Sequence, residues 1–160
     1  MIQFNSLDRP EDRPYNLKWL IGGNVLPGLA IIVIFDYLFA TLGPVKKNLA
    51  MVFVLVAGVG DGLAEPVGVT LGRHKYATRS CCSSRKYFRS FQGSACVWIT
   101  TYFWIMLYWY CFTSTTQFWL CMLILPPVMT LAEATSPHTM DTPLLMILGG
   151  LILFAISKWV

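Results

Sequence analysis

Asp61 and Glu65 stand four residues apart in GVGDGLAEPVGVTLG, a stretch that is otherwise uncharged and rich in glycine. At i and i+4 they share one helical face, where like charges repel. If their helix begins near Asn48, Asp61 lies about 20 Å into it, within or near a bilayer if that helix spans one. An ionised carboxylate there costs about 2.5–3.5 kcal/mol, so a cation or hydrogen-bond donors must offset it. The other reading ends the helix at Gly60 and leaves both acids in a solvated loop. Gly58, Gly60, Gly62, Gly68 and Gly72 accompany the pair. They suit close helix packing or the approach of backbone to a phosphate. No Gly-Lys-Ser/Thr follows, so this is not a Walker loop.

Directly after the acids come Arg73, Lys75, Arg79, Arg85, Lys86 and Arg89, with no acid among them. One reading is a topology determinant that touches anionic lipid. The other is a clamp on a polyphosphate, because Arg and Lys neutralise charge that shifts between oxygens during phosphoryl transfer. Ser90 and Ser94 flank Gly93 where the next helix starts, and would add donors at a positive helix end. A third polar cluster runs from Glu133 to Pro143 and supplies Glu133, His138 and Asp141. His138 reads as a loop histidine, and Asp141 before Thr142 and Pro143 also reads as a helix cap. Acids and bases converging on one interface suggest a divalent metal with a nucleotide, since oxygen ligands suit magnesium.

The elements that position these residues follow from composition. The 160 residues are 56% hydrophobic and only 12% charged, with a mean hydropathy of +0.58. Soluble proteins carry roughly 25% charged residues, so much of this surface must be apolar. Disorder, a disulfide-stapled secreted module and a soluble enzyme are excluded or disfavoured, and so is nucleic acid as the partner of the basic cluster. The expectation is an all-α integral membrane protein, a polytopic bundle of about five transmembrane helices forming a single domain over 1–160. The spans run from about Leu20 to Gly43, from Asn48 towards Gly72, twice within the uncharged stretch between Arg89 and Glu133, and from Leu144 to Val160. Thr113 to Gln117 makes the turn inside that uncharged stretch, and Pro126-Pro127 interrupts the fourth helix.

No cleavable signal peptide is expected, because Asp8, Arg9, Glu11, Asp12 and Arg13 follow Met1, and the first helix serves as the insertion signal. The basic residues set the orientation. Residues 1–19, the basic loop 72–92 and the acidic segment 133–142 fall on the cytoplasmic side, leaving Lys46, Lys47 and Lys158 opposite. Asp36 is expected at that far interface, solvated and without a partner. The cysteines show no metal spacing. Cys96, Cys111 and Cys121 read as small buried hydrophobes, and the adjacent Cys81 and Cys82 suit neither a disulfide nor zinc. The aromatic run from Trp98 to Tyr110 reads as bilayer and interface packing.

The string GVGDGLAEPVGVTLGRHKY, Gly58 to Tyr76, resembles the signature of the CTP-dependent polyprenol kinase family. That family includes phytol kinase, dolichol kinase and yeast-type diacylglycerol kinase, and is related to phosphatidate cytidylyltransferases. RSFQGS (Arg89 to Ser94), SPHTMDTPLL (Ser136 to Leu145) and RPEDRPYNLKW near the N-terminus resemble further blocks of it. The resemblance implies a multi-pass enzyme of the endoplasmic reticulum, a plastid membrane or a bacterial inner membrane. It would phosphorylate the hydroxyl of a membrane lipid alcohol with CTP and Mg2+ on the cytoplasmic side. It assigns Asp61, Glu65, Glu133 and Asp141 to catalysis and metal. Gly68, Gly72, Arg73, His74 and Lys75 fall to the nucleotide-side turn, and Arg89, Ser90, Gly93 and Ser94 to phosphate binding. The alternatives are a cytidylyltransferase making a CDP-lipid and a non-catalytic membrane subunit. Two departures stand out: many members carry an acid where this chain has Gln92, and most carry further membrane helices before the matched region, so this chain is expected to be short or N-terminally incomplete.

Overall fold

Where no water can reach the backbone, a helix satisfies its own hydrogen bonds, and the long uncharged runs fold accordingly. The computed structural model of the protein describes residues 20–79, 86–136 and 141–160. The predicted cytoplasmic tail 1–19, together with Cys81, Cys82, Arg85 and His138, lies outside the described residues. A π-helical turn, Leu20–Val25, leads into α1 (Leu26–Ala40), with Pro27 in its first turn, where the missing N–H is one that a helix start leaves unbonded anyway. Gly43, at φ 118°, turns the chain into α2 (Pro44–Lys47), a backbone conformation that a Cβ would strain. Then come α3 (Ala50–Leu55), a π-helical segment Val56–Asp61 and α4 (Gly62–Leu71). After a hairpin of β1 (Lys75–Arg79) and β2 (Lys86–Ser90) follow α5 (Phe91–Leu107), a 3-10 turn Trp109–Cys111, α6 (Thr115–Thr135) and α7 (Asp141–Trp159).

Among the described residues four helical runs, Ile21–Ala40, Pro44–Leu71, Thr115–Thr135 and Asp141–Trp159, are long and apolar enough to cross a membrane. The protein is an all-helical, multi-pass membrane protein. The remaining helix, α5, is shorter at 17 residues. It nonetheless runs from one end of the bundle to the other, because α6 must return to the starting end for Glu133 to meet Arg89 and Ser94.

Two expectations are corrected by this architecture, and one alternative falls. Asp61 and Glu65 lie in the helical stretch that runs from Ala50 to Leu71, close to the expected start near Asn48, and not in a loop. The basic loop contains an antiparallel hairpin, registered Lys75 to Ser90 and Tyr76 to Arg89; its alternating Tyr, Thr and Phe residues favour strand. Helix α6 passes through Pro126 and Pro127 without a break. The prolines remove two N–H donors from its ladder, but Leu125, Pro126 and Met129 are buried against the bundle and hold the helical path.

The core is a seam of rings and small residues. Phe35 packs edge-on against Phe53 and Phe39 against Phe154, with centroids 5.1 and 5.7 Å apart. Helix α7 approaches through Gly149 and Gly150, where an added Cβ would lie 2.9 Å from Phe53 Cβ and 2.6 Å from the Phe35 ring. At the far end Lys46 Nζ donates to the Ser157 carbonyl at 2.6 Å. There too Asp36, expected to stand alone, pairs with Lys47 at 3.2 Å, both half-exposed. The predicted turn at Thr113–Gln117 is a reciprocal cap: Ser114 Oγ accepts from Gln117 N–H, and Gln117 Oε1 accepts from Thr113 N–H.

Candidate functional site

The hairpin register pairs Tyr76 with Arg89 across the two strands, and paired residues share one face of a ribbon. That face meets the ends of α5, α6 and α7. Arg89 Nη1 donates to Glu133 Oε1, and its Nη2 donates to Asp141 Oδ2 at 3.2 Å and to Ser136 Oγ at 3.4 Å. Glu133 Oε2 accepts from Ser94 Oγ at 2.9 Å. Ser94 thereby uses its only proton, so Tyr76 OH, 2.6 Å away, is the donor in their shared hydrogen bond. Asp141 Oδ1 caps α7 by accepting from Thr142 N–H at 3.0 Å, and Ser136 Oγ donates to the Glu133 carbonyl. Four chain segments are thus tied to one guanidinium.

Burial disfavours the charge on Arg89, but the carboxylates of Glu133, Asp141 and Asp61 together outweigh it and hold the guanidinium above its ordinary pKa. It is permanently cationic. Burial likewise raises the Tyr76 hydroxyl, opposed by its bond to Ser94, so it keeps its proton at neutral pH. Arg89 side-chain exposure is 12% and that of Glu133 is 5%, so water screens their attraction poorly.

Of the remaining expected site residues, Asp61 is partly buried at the end of the π-helical segment, within electrostatic range of Asp141, Arg89 and Glu133. Glu65 is exposed, although Asp61 still senses its charge. Ser90 caps α5, its Oγ accepting from Gly93 N–H at 3.1 Å. Gly68, Gly72 and Gly93 let α4 close on that cap. An added Cβ on Gly68 would lie 2.7 Å from Ser90 Oγ, on Gly72 2.8 Å from Ser90 Cβ, and on Gly93 2.7 Å from the Ala64 carbonyl oxygen. For these glycines packing is the observed role. Gly58 and Gly62 face open space. Arg73, His74 and Lys75 are exposed on the turn from α4 into β1, where the His74 carbonyl accepts from Phe91 N–H and extends the ladder. Arg89 Nε and Gln92 Oε1 are buried without a hydrogen-bond partner among the described residues.

Sequence reasoning assigned no role to Tyr76 or Ser136. For Tyr76 the signal was the alternation in KYATR and KYFRS, which marks a strand pair and puts Tyr76 beside Arg89.

The arrangement does not fit a resident magnesium ion. Among the described residues no three His, Cys, Asp or Glu side chains come together as a metal-holding group. One oxygen of Glu133 and one of Asp141 are turned to Arg89, which is the cation between them, and their other oxygens accept from Ser94 and from Thr142 N–H. Fold and site therefore define a polytopic helical membrane protein with a buried arginine–carboxylate network at one end of its bundle. The chain matches no family model, no curated protein and no solved structure.

Proposed function

We propose that the protein is a membrane lipid-alcohol kinase that transfers the terminal phosphate of CTP to a phytol- or dolichol-like alcohol at the hairpin end of the bundle, on the cytoplasmic side. The observation that carries this reading is the convergence on Arg89. Residues from the three separated blocks 58–76, 89–94 and 136–145 meet there, through Tyr76, Arg89 with Ser94, and Ser136 with Asp141.

The lipid tail lies along the apolar helices and its hydroxyl reaches Asp61. Asp61 orients the hydroxyl and takes its proton as the alcohol oxygen bonds to the terminal phosphorus. The bond from that phosphorus to the bridging oxygen breaks, and CDP leaves. His74 faces the nucleotide phosphates, and Arg89 supplies fixed positive charge beside them. Magnesium arrives on the nucleotide as part of the co-substrate. The saturation of Glu133 and Asp141 by Arg89 favours a second reading, a non-catalytic membrane subunit whose network is purely structural.

Protein reconstituted in lipid with CTP labelled on the γ-phosphate, magnesium and a panel of phytol, dolichol, farnesol-type alcohols and diacylglycerol separates these readings. Label moving into a lipid is the expected result. Label in pyrophosphate beside a CDP-lipid identifies a cytidylyltransferase instead, and no transfer supports the structural subunit. Asp61→Asn is expected to lower transfer by about two orders of magnitude or more, the usual contribution of a general base. Unchanged transfer in that variant would remove Asp61 from the mechanism.

A further inference from the structure

The register that turns Tyr76 and Arg89 inward turns the alternate row outward as far as Phe88, while Ser90 at its end is buried as the cap of α5. Lys75 and Ala77 are exposed, and Phe88, opposite Ala77, is 69% exposed. Beside the ribbon stand Val69, Leu71 and Phe91, each more than half exposed, and the exposed Arg73. A face that sets Lys75 and Arg73 among bare aromatic and aliphatic side chains is disfavoured against water, and equally ill-suited to a purely apolar partner.

We infer that this outward face of the hairpin docks on the headgroups of anionic lipids in the bilayer that the protein itself spans. The placement leaves the ribbon little alternative. Residues 72–74 alone separate β1 from the spanning run Pro44–Leu71, and β2 passes into α5 with no intervening residue. A five-residue strand is about 17 Å long, so the ribbon stays within reach of the headgroup layer. Lysine and arginine match the charge of that layer, and Phe88 enters the interfacial zone, where aromatic rings are favoured. A soluble polyphosphate accounts for the bases and leaves Phe88, Phe91 and Leu71 unexplained. The inference does not depend on catalysis and stands or falls apart from the kinase reading.

The test is amide hydrogen exchange over residues 75–79 and 86–90, with the full chain in nanodiscs of neutral phosphatidylcholine or of the same lipid mixed with phosphatidylglycerol. Each basic residue near an anionic surface strengthens attachment about fivefold. Exchange is therefore expected to be at least about fivefold slower in the anionic discs, with the difference lost at high salt. The double variant Phe88→Ser, Lys75→Gln is expected to lose most of that difference while α6 and α7 exchange as before, which separates lost docking from lost folding. Equal exchange in the two lipids overturns the inference. So does equal slowing by pyrophosphate in neutral discs, which would make the face a soluble-phosphate site.

Discussion

Arg89 carries the positive charge that lets acidic side chains stay buried at the site. A buried ion pair is weak evidence for stability gained, yet removing one partner strands the other charge and costs about 3–5 kcal/mol. Glu133→Gln is accordingly expected to cost several kcal/mol in thermal unfolding in detergent, because Arg89 and Ser94 both lose an ionised acceptor. The double variant Arg89→Met, Glu133→Leu is expected to cost clearly less than the sum of its single changes, since it removes the charge with its partner. Strictly additive losses would show that the pair is not coupled. The rarity of charge in an apolar chain made Arg89, Glu133 and Asp141 legible as important residues. Their pairing was not legible. Read without the strand register, acids look available to a metal and arginine to phosphate; the register brings Arg89 to the ends of α6 and α7, where they neutralise one another.

Among the elements, the helix seams follow from glycine in a way that spacing alone could not rank. Gly93 lies in α5 with the Ala64 carbonyl only 2.7 Å from where its Cβ would sit, whereas Gly62 in α4 meets nothing within 4 Å. Gly93→Ala therefore pushes α4 and α5 apart and is expected to destabilise by about 1–3 kcal/mol, the usual effect of overpacking. Gly62→Ala is expected to be neutral, or to stabilise by about 0.5–1 kcal/mol through helix propensity. Melting temperatures of the two variants side by side decide this, and equal shifts would rule out the close approach as the reason for Gly93. The helices themselves were legible as uncharged apolar runs. The hairpin was hidden because its basic residues dominate a reading by charge. The continuity of α6 was hidden because the effect of two prolines depends on what packs around them, and Leu125, Pro126 and Met129 are buried.

At the scale of the whole molecule, the contacts at the two ends fix how often the chain traverses the bundle. Gly28, early in α1, lies near Met146, early in α7: an added Cβ would be 3.7 Å from Met146 Sδ. Asp141, at the start of α7, binds Arg89 at the hairpin end. At the opposite end Lys46 binds the Ser157 carbonyl near the end of α7. Helix α1 thus runs away from the hairpin end, the run Pro44–Leu71 returns to it, α5 leaves, α6 returns and α7 leaves again. That is an odd number of passages, although among the described residues four helical runs meet the length and hydropathy of a span. If every passage crosses the bilayer, Leu20 and Val160 emerge on opposite faces. Arg73, Lys75 and Arg89 crowd the hairpin end, and the positive-inside rule predicts that this end faces the cytoplasm. In sealed vesicles, a protease confined to the cytoplasmic face is expected to remove a tag fused ahead of Met1 and to spare one fused after Val160. Cleavage of both tags would mean that α5 and its neighbours do not each cross.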